Sequence, residues 1–188
     1  MHFRSLFTAC ALLPLCLAAL LAGPAAAHPS DEALVYHYLW LEAKPGQLSL
    51  QQATTVGGLL TQTVWPEIDR DGSGEPSEAE QEAHARGLAA GLSLTIDGKP
   101  VPWELASYEY PSKEAFFGGS FAVVKLLLRA PLPKTGKLGH TVEVRDETYP
   151  HFKALFPQPV IRPSRLSAGE PSVSPDGRVF TVRLFPEG

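Results

Sequence analysis

The sequence predicts a mainly β fold, a two-sheet sandwich with one helical insertion. Three observations predict it. Short runs of aliphatic, aromatic and β-branched residues recur along the chain, several alternating apolar with polar as half-buried strands do. Tight-turn pairs separate them: Pro45-Gly46, Asp97-Gly98 and Asp176-Gly177. Between Gly57 and Gly91 the alternation stops, and helix-spaced apolar residues flank a polar Asp/Gly/Ser stretch. Strands at this spacing imply an immunoglobulin-like β-sandwich, with the helical unit inserted at about 57–91, after the first hairpin.

The elements follow in order. Ala33 to Glu42, ALVYHYLWLE, reads as a strand. Lys44-Pro45-Gly46-Gln47 is a turn, and Leu48 to Gln51 returns as the second arm of a hairpin. Leu59, Leu60, Thr63, Val64 and Ile68 share one helical face, but Pro66 lacks a donor and crowds the preceding turn, so this helix is expected to be short or kinked. Ser77 and Glu80 have capping-box spacing and start a second helix over Ala79–Ala90, with Glu82 and Arg86 paired at i,i+4 and Gly91 as its stop.

Strands are expected at Leu92–Ile96 and Val101–Tyr110, and a central one at Phe121–Arg129. His140–Thr148 alternates, with Val142 and Val144 on one face. Pro157–Leu166 is interrupted by proline and reads as an edge. Val179–Phe185 is the last strand.

The first 27 residues read as a leader rather than as fold. Arg4 precedes an apolar run, Leu6–Leu21, broken by Pro14, and Ala25-Ala26-Ala27 suits cleavage before His28. Residues 28–188 then form a single extracytoplasmic domain. Both cysteines, Cys10 and Cys16, leave with the leader, so neither disulfides nor thiol chemistry is expected in the mature chain. Export without disulfides points to a periplasmic or secreted protein. The net charge of −4 becomes about −5 without Arg4, and no basic cluster stands out. Nucleic acid is a poor partner by that measure. No later apolar run has spanning length.

The chemistry concentrates in Asp69-Arg70-Asp71-Gly72-Ser73-Gly74-Glu75-Pro76-Ser77-Glu78-Ala79-Glu80. Its spacing suits a twelve-residue loop that wraps oxygens around a hard cation. Asp69, Asp71 and Ser73 take positions one, three and five, and Gly74 the sharp turn at six. Glu75 supplies a backbone carbonyl at seven, Ser77 an oxygen or a bridging water at nine, and Glu80 the bidentate carboxylate at twelve. A plain surface turn explains Asp, Gly and Ser, but not acids at one, three and twelve together.

This loop and the helix after it resemble the EF-hand calcium-binding family. Ser73 departs from the usual Asp or Asn, which removes one charge. Pro76 has no donor at position eight, where paired loops of that family meet. The resemblance implies one calcium ion held by Asp69, Asp71, Ser73, Glu75, Ser77 and Glu80. Three acids and an unpaired loop predict the weak range of extracellular modules, about 10⁻⁴–10⁻³ M. The expected role is structural or interaction-based and not catalytic. Nucleophile-elbow, HExxH and phosphate-loop patterns are missing. Glu104, Glu109 and Glu114 pair with nothing identifiable, and Asp146 and Glu147 read as solvated.

The histidines suggest a second reading. His28, as a new N-terminus, offers an amine and an imidazole, and His37 another nitrogen, a donor set suited to copper or nickel. His84 reads as a solvated helix residue, and His140 and His151 as loop-edge residues. The His-Pro start, the first hairpin, the Val64-Trp65 approach to the aspartate-rich loop and Leu92–Val101 are similar to the extracytoplasmic domain of bacterial nickel/cobalt transporters of the hydrogenase- or urease-accessory kind. That resemblance implies a periplasmic transition-metal-binding accessory linked to a membrane transporter or other envelope protein. No transmembrane segment follows this domain, so a free-standing accessory is what carries over.

Overall fold

The computed structural model describes residues 33–118 and 121–187. Residues 1–27, expected to be a leader, and His28 lie outside the described residues. The fold is mainly β, with two six-stranded sheets.

The first sheet is built on a long hairpin, β1 (Val35–Lys44) and β2 (Gln47–Gly57), paired from Lys44–Gln47 up to Val35–Val56. Gly46 closes it at φ +83°, a left-handed conformation that costs glycine nothing. β2 runs six residues beyond the expected strand: Gln52–Gly57, all buried, carry no turn signal and stay paired with β6. A single 3₁₀ turn (Gly58–Leu60) leads to α1 (Thr61–Ile68), eight residues long with Pro66 inside it. The helix is as short as the proline predicts. After the acidic loop comes α2 (Glu78–Ala90), started by the Ser77–Glu80 capping box and ended at Gly91.

The second sheet begins with β3 (Leu92–Ile96) and β4 (Lys99–Val101), joined through Asp97 at φ +52° and Gly98 at φ +75°. The expected single strand over Val101–Tyr110 is broken. Pro102 has no backbone donor, and the chain leaves the second sheet there. It resumes as β5 (Glu104–Glu109), paired with the first sheet. A short helix that the sequence reading missed, α3 (Lys113–Gly118), precedes β6 (Phe121–Pro131). β6 is central, between β5 and β2.

β7 (His140–Asp146) returns to the second sheet. β8 (Ala154–Leu155) and β9 (Val160–Pro163) lie parallel to β1 along its free edge, in line with the edge expected from the prolines. β10 (Leu166–Ala168) and β11 (Ser172–Val173) both pair with β12 (Val179–Pro186). The sheet orders are β5-β6-β2-β1-β8, with β9 also on β1, and β10-β12-β7-β3-β4, with β11 also on β12.

Strand length decides where the helices go. β2 and β6 are each 11 residues, whereas the strands of the second sheet have 2–8. The first sheet therefore overhangs the second. Where both sheets face each other, Leu39, Leu41, Leu48, Leu50 and Leu128 pack against Leu94, Ile96, Val142, Val144, Val182 and Leu184. On the overhang the same inner face is covered by helices. Val35, Val56, Val124 and Leu126 pack with Val64 and Ile68 of α1, Ala85 and Leu88 of α2, and Phe116 of α3. The helical unit is thus the lid of a second apolar core, and the acidic loop is the link between two of its helices.

The seam between the two cores is polar. His37, Gln52 and Thr54 face inward there and are fully buried, together with Asp146 and Thr148 at the end of β7. The reading of Asp146 as solvated is overturned, because the strand end is enclosed under the overhang. Its carboxylate accepts from Gln52 Nε2 at 2.7 Å, Thr148 Oγ1 at 2.6 Å and Thr148 N at 2.9 Å, and lies 3.3 Å from His37 Nδ1. Burial opposes its charge, but hydrogen bonding and the charge of His37, with the Thr148 donors, hold its pKa below the usual value. Glu109, read as unpaired, meets Lys125 at 3.1 Å across β5 and β6.

Candidate metal centre

The loop grows out of the end of α1. Asp69 caps that helix, its N–H donating to the carbonyl of Trp65 at 2.8 Å. Trp65 and Asp69 are one turn apart, so their side chains meet. Trp65 Nε1 donates to Asp69 Oδ2 at 2.9 Å, and Gly74 N donates to the same oxygen at 2.9 Å. Asp69 is only 5% exposed. Its other oxygen, Oδ1, lies 3.3 Å from Ser73 Oγ, which in turn is 3.1 Å from the carbonyl oxygen of Glu75.

Gly72 and Gly74 turn the chain at φ +69° and +90°. Asp71 Oδ1 accepts from Ser73 N at 2.9 Å. These are the side-chain-to-backbone bonds that Asp and Ser make in tight loops.

Glu80 closes the ring. Its Oε1 accepts from the N–H groups of Arg70 and Asp71 at 2.8 and 3.0 Å, tying the first turn of α2 to the start of the loop. Its Oε2 accepts from Ser77 N at 2.9 Å and Ser77 Oγ at 2.8 Å, completing the capping box. The Ser77 donors first, then the backbone N–H groups of Asp71 and Arg70, hold the Glu80 pKa down at about 2.

One carboxylate oxygen each of Asp69, Asp71 and Glu80 therefore lies within 4.8 Å of the others. Three like charges this close repel. Among the described residues no Lys, Arg or His forms an ion pair with any of them. Lys113 comes nearest to the loop from α3. Its Nζ sits 6.0 Å from the Trp65 ring centroid, and a Cβ on Gly74 would lie 2.8 Å from it. Such an oxygen-lined, acid-rich cluster can hold a metal ion. Of the six residues expected at the site, Asp69, Asp71 and Glu80 form the triad. Ser73 and the Glu75 carbonyl adjoin Asp69, and Ser77 adjoins Glu80. Trp65, which the sequence marks only as part of the approach to the loop, fixes the Asp69 carboxylate together with Gly74 N. Its i,i+4 spacing to Asp69 was the available signal.

Of the histidines, His84 departs from its expected place as a solvated residue. His84 is buried, 6% exposed, because the face of α2 that carries it is turned onto the second core. Its Nδ1 is 2.6 Å from Tyr110 Oη and its Nε2 3.2 Å from Tyr149 Oη. Burial, with a smaller contribution from the Arg70 charge, lowers its pKa to about 4, so the ring is neutral at pH 7. His37 stacks on Phe156 at 4.7 Å and turns Nδ1 to Asp146 and Thr148 inside the seam. His140 Nδ1 meets Asp97 Oδ2 at 2.7 Å, at the start of β7.

No helix among the described residues is long and apolar enough to cross a membrane. Comparison with protein-family models, with curated proteins and with solved structures found no match.

Proposed function

We propose that this is an exported calcium-binding protein with a single EF-hand-type site and a structural or interaction role rather than a catalytic one. The convergence of the Asp69, Asp71 and Glu80 carboxylates to within 4.8 Å, with no basic partner among the described residues, carries the reading. Calcium is the cation that suits it, since the neighbouring donors are all oxygens: Ser73 Oγ, the Glu75 carbonyl and Ser77 Oγ. The immunoglobulin-like character of the sandwich, the EF-hand character of its helical unit and export through residues 1–27 belong to the same proposal.

The ion would relieve repulsion among three carboxylates at the joint between α1 and α2. Those helices supply Val64, Ile68, Ala85 and Leu88 to the second core. An ion that binds only the folded loop adds its binding free energy to folding. Calcium would thus staple the lid to the overhanging sheet.

The test is the urea midpoint of the purified protein with EDTA and with calcium, for the parent and for Glu80→Gln. Calcium raises the parent midpoint and leaves that of Glu80→Gln in place. An equal rise in both, or none in the parent, refutes the proposal.

A further inference from the structure

The outer face of the first sheet is crossed by β8 and β9 at one edge, then β1, β2, β6 and β5, so β2 is its midline. β1 turns Tyr36, Tyr38, Trp40 and Glu42 to this side, while His37, Leu39 and Leu41 point inward. Among the described residues, three of the seven exposed large apolar side chains lie here: Tyr38 at 38%, Leu155 at 41% and Val160 at 41%. Exposed apolar surface rimmed by polar residues marks an interaction site.

The register shows what fits it. Read across the strands, one row is Arg162, Glu42, Ser49, Arg129 and Glu104. Its charges run plus, minus, neutral, plus, minus, so the pattern changes sign when reflected through β2. None of the four charged residues belongs to an ion pair among the described residues. The next row is Val160, Trp40, Gln51, Leu127 and Ser107, with an apolar side chain on each side of β2. The row after it sets Tyr38, Ala53, Lys125 and Glu109 in line, and there Lys125 and Glu109 are paired at 3.1 Å.

We propose that this face binds a second copy of the chain, sheet against sheet, about a two-fold axis along β2. Such an axis reverses the strand order and keeps the rows, and every contact off the axis occurs twice. Glu42 then faces the second copy's Arg129, and Arg162 faces the second copy's Glu104. Trp40 meets the second copy's Leu127. Tyr38 meets the second copy's Lys125, whose ammonium suits the face of the ring. Ser49 and Gln51 meet their own counterparts on the axis. An axis across the strands would instead lay the charged row on Leu155 and Val123 and bury its charges unpaired. Charge complementarity therefore selects both the occupant and the axis. Packed sheets cross at about 30° because each is twisted, and the long Arg and Glu side chains span that offset. Four rows from Leu155 to Arg162 over five strand positions measure about 27 by 24 Å, roughly 650 Å² per copy. Two copies together cover about 1,300 Å², the small end of stable interfaces. Within these rows Arg162, Arg129 and Lys125 are balanced by Glu42, Glu104 and Glu109, so a polyanion gains no net attraction.

The face is separate from the acidic loop, and its test is run in EDTA. Sedimentation equilibrium of the purified protein up to about 500 µM is expected to show a monomer and a dimer, with a dissociation constant on the order of 10–100 µM. Salt loosens the dimer. Glu42→Arg and Arg129→Glu each weaken it at least about tenfold. Mixed in equal amounts, the two variants associate to within about threefold of the parent, because each reversed side chain meets an opposite charge on the other variant. Rescue by mixing needs both variants folded, so it separates a lost contact from lost folding. Glu104→Arg mixed with Arg162→Glu repeats the test on the outer pair. Trp40→Ala weakens the dimer roughly tenfold. A monomer at about 500 µM, well above the expected range, overturns the proposal. So does an assembly larger than a dimer, charge variants that associate as the parent does, or mixtures no tighter than their separate components.

Discussion

Asp146→Asn tests the seam that joins the two cores. The Asp146 carboxylate accepts from Gln52 Nε2 on one oxygen and from both Thr148 donors on the other. An amide has one accepting atom in place of two. Whichever way it lies, its NH₂ faces either the Gln52 amide or the Thr148 hydroxyl and N–H. At least one buried charge-assisted hydrogen bond is lost, about 1.5–3 kcal/mol, and a donor is left without an acceptor, about 1–3 kcal/mol. Some relaxation is expected, so the predicted loss is about 3 kcal/mol, within the range for breaking one partner of a buried pair. The assay is equilibrium unfolding in urea at pH 7, in which the midpoint falls with the slope unchanged. Adding Gln52→Glu restores a donor–acceptor match, so the double variant loses less than the sum of the two single losses. A loss below about 1 kcal/mol for Asp146→Asn, or strict additivity in the double variant, refutes the seam as described.

Three further outcomes follow. His84 has a folded pKa near 4 against a reference of 6.5, so the unfolded chain binds the extra proton between those values. Stability is therefore full above about pH 6.5 and falls by up to about 3 kcal/mol as pH drops towards 4. His84→Gln flattens that slope in a pH series of urea midpoints, and an unchanged slope contradicts the assignment. Gly74→Ala forces a side chain into φ +90° and costs about 1–2 kcal/mol of folding stability. Calcium affinity falls with it, measured by the same unfolding series with and without the ion. Calcium at about a hundred times its dissociation constant adds about 2.7 kcal/mol to the parent protein, read as a raised urea midpoint.

Local signals were legible in the sequence where one residue type decides one conformation. The Asp97-Gly98 turn, the Ser77–Glu80 cap, the Gly91 stop and the short proline-bearing α1 all follow from backbone chemistry within a few residues. What depended on partners was not legible. β5 reads as a continuation of β4, and only Pro102 hints that the chain changes sheets. His84 and Asp146 look like surface residues because each is hidden by elements distant in sequence. His84 is covered by Tyr149, and Asp146 by Gln52 across the seam. At the candidate metal centre the convergence of Asp69, Asp71 and Glu80 was readable from spacing alone. The clamp of Trp65 on Asp69 was not read, because a tryptophan in an apolar stretch is ordinarily taken as core.

The central claim is most directly tested by calorimetric calcium titration of the purified protein, with magnesium, copper and nickel as comparisons. The account predicts one calcium site with a dissociation constant of about 10⁻⁴–10⁻³ M, abolished in Glu80→Gln. Absence of calcium binding at about 10 mM, well above that range, would contradict it, as would calcium affinity unchanged in Glu80→Gln.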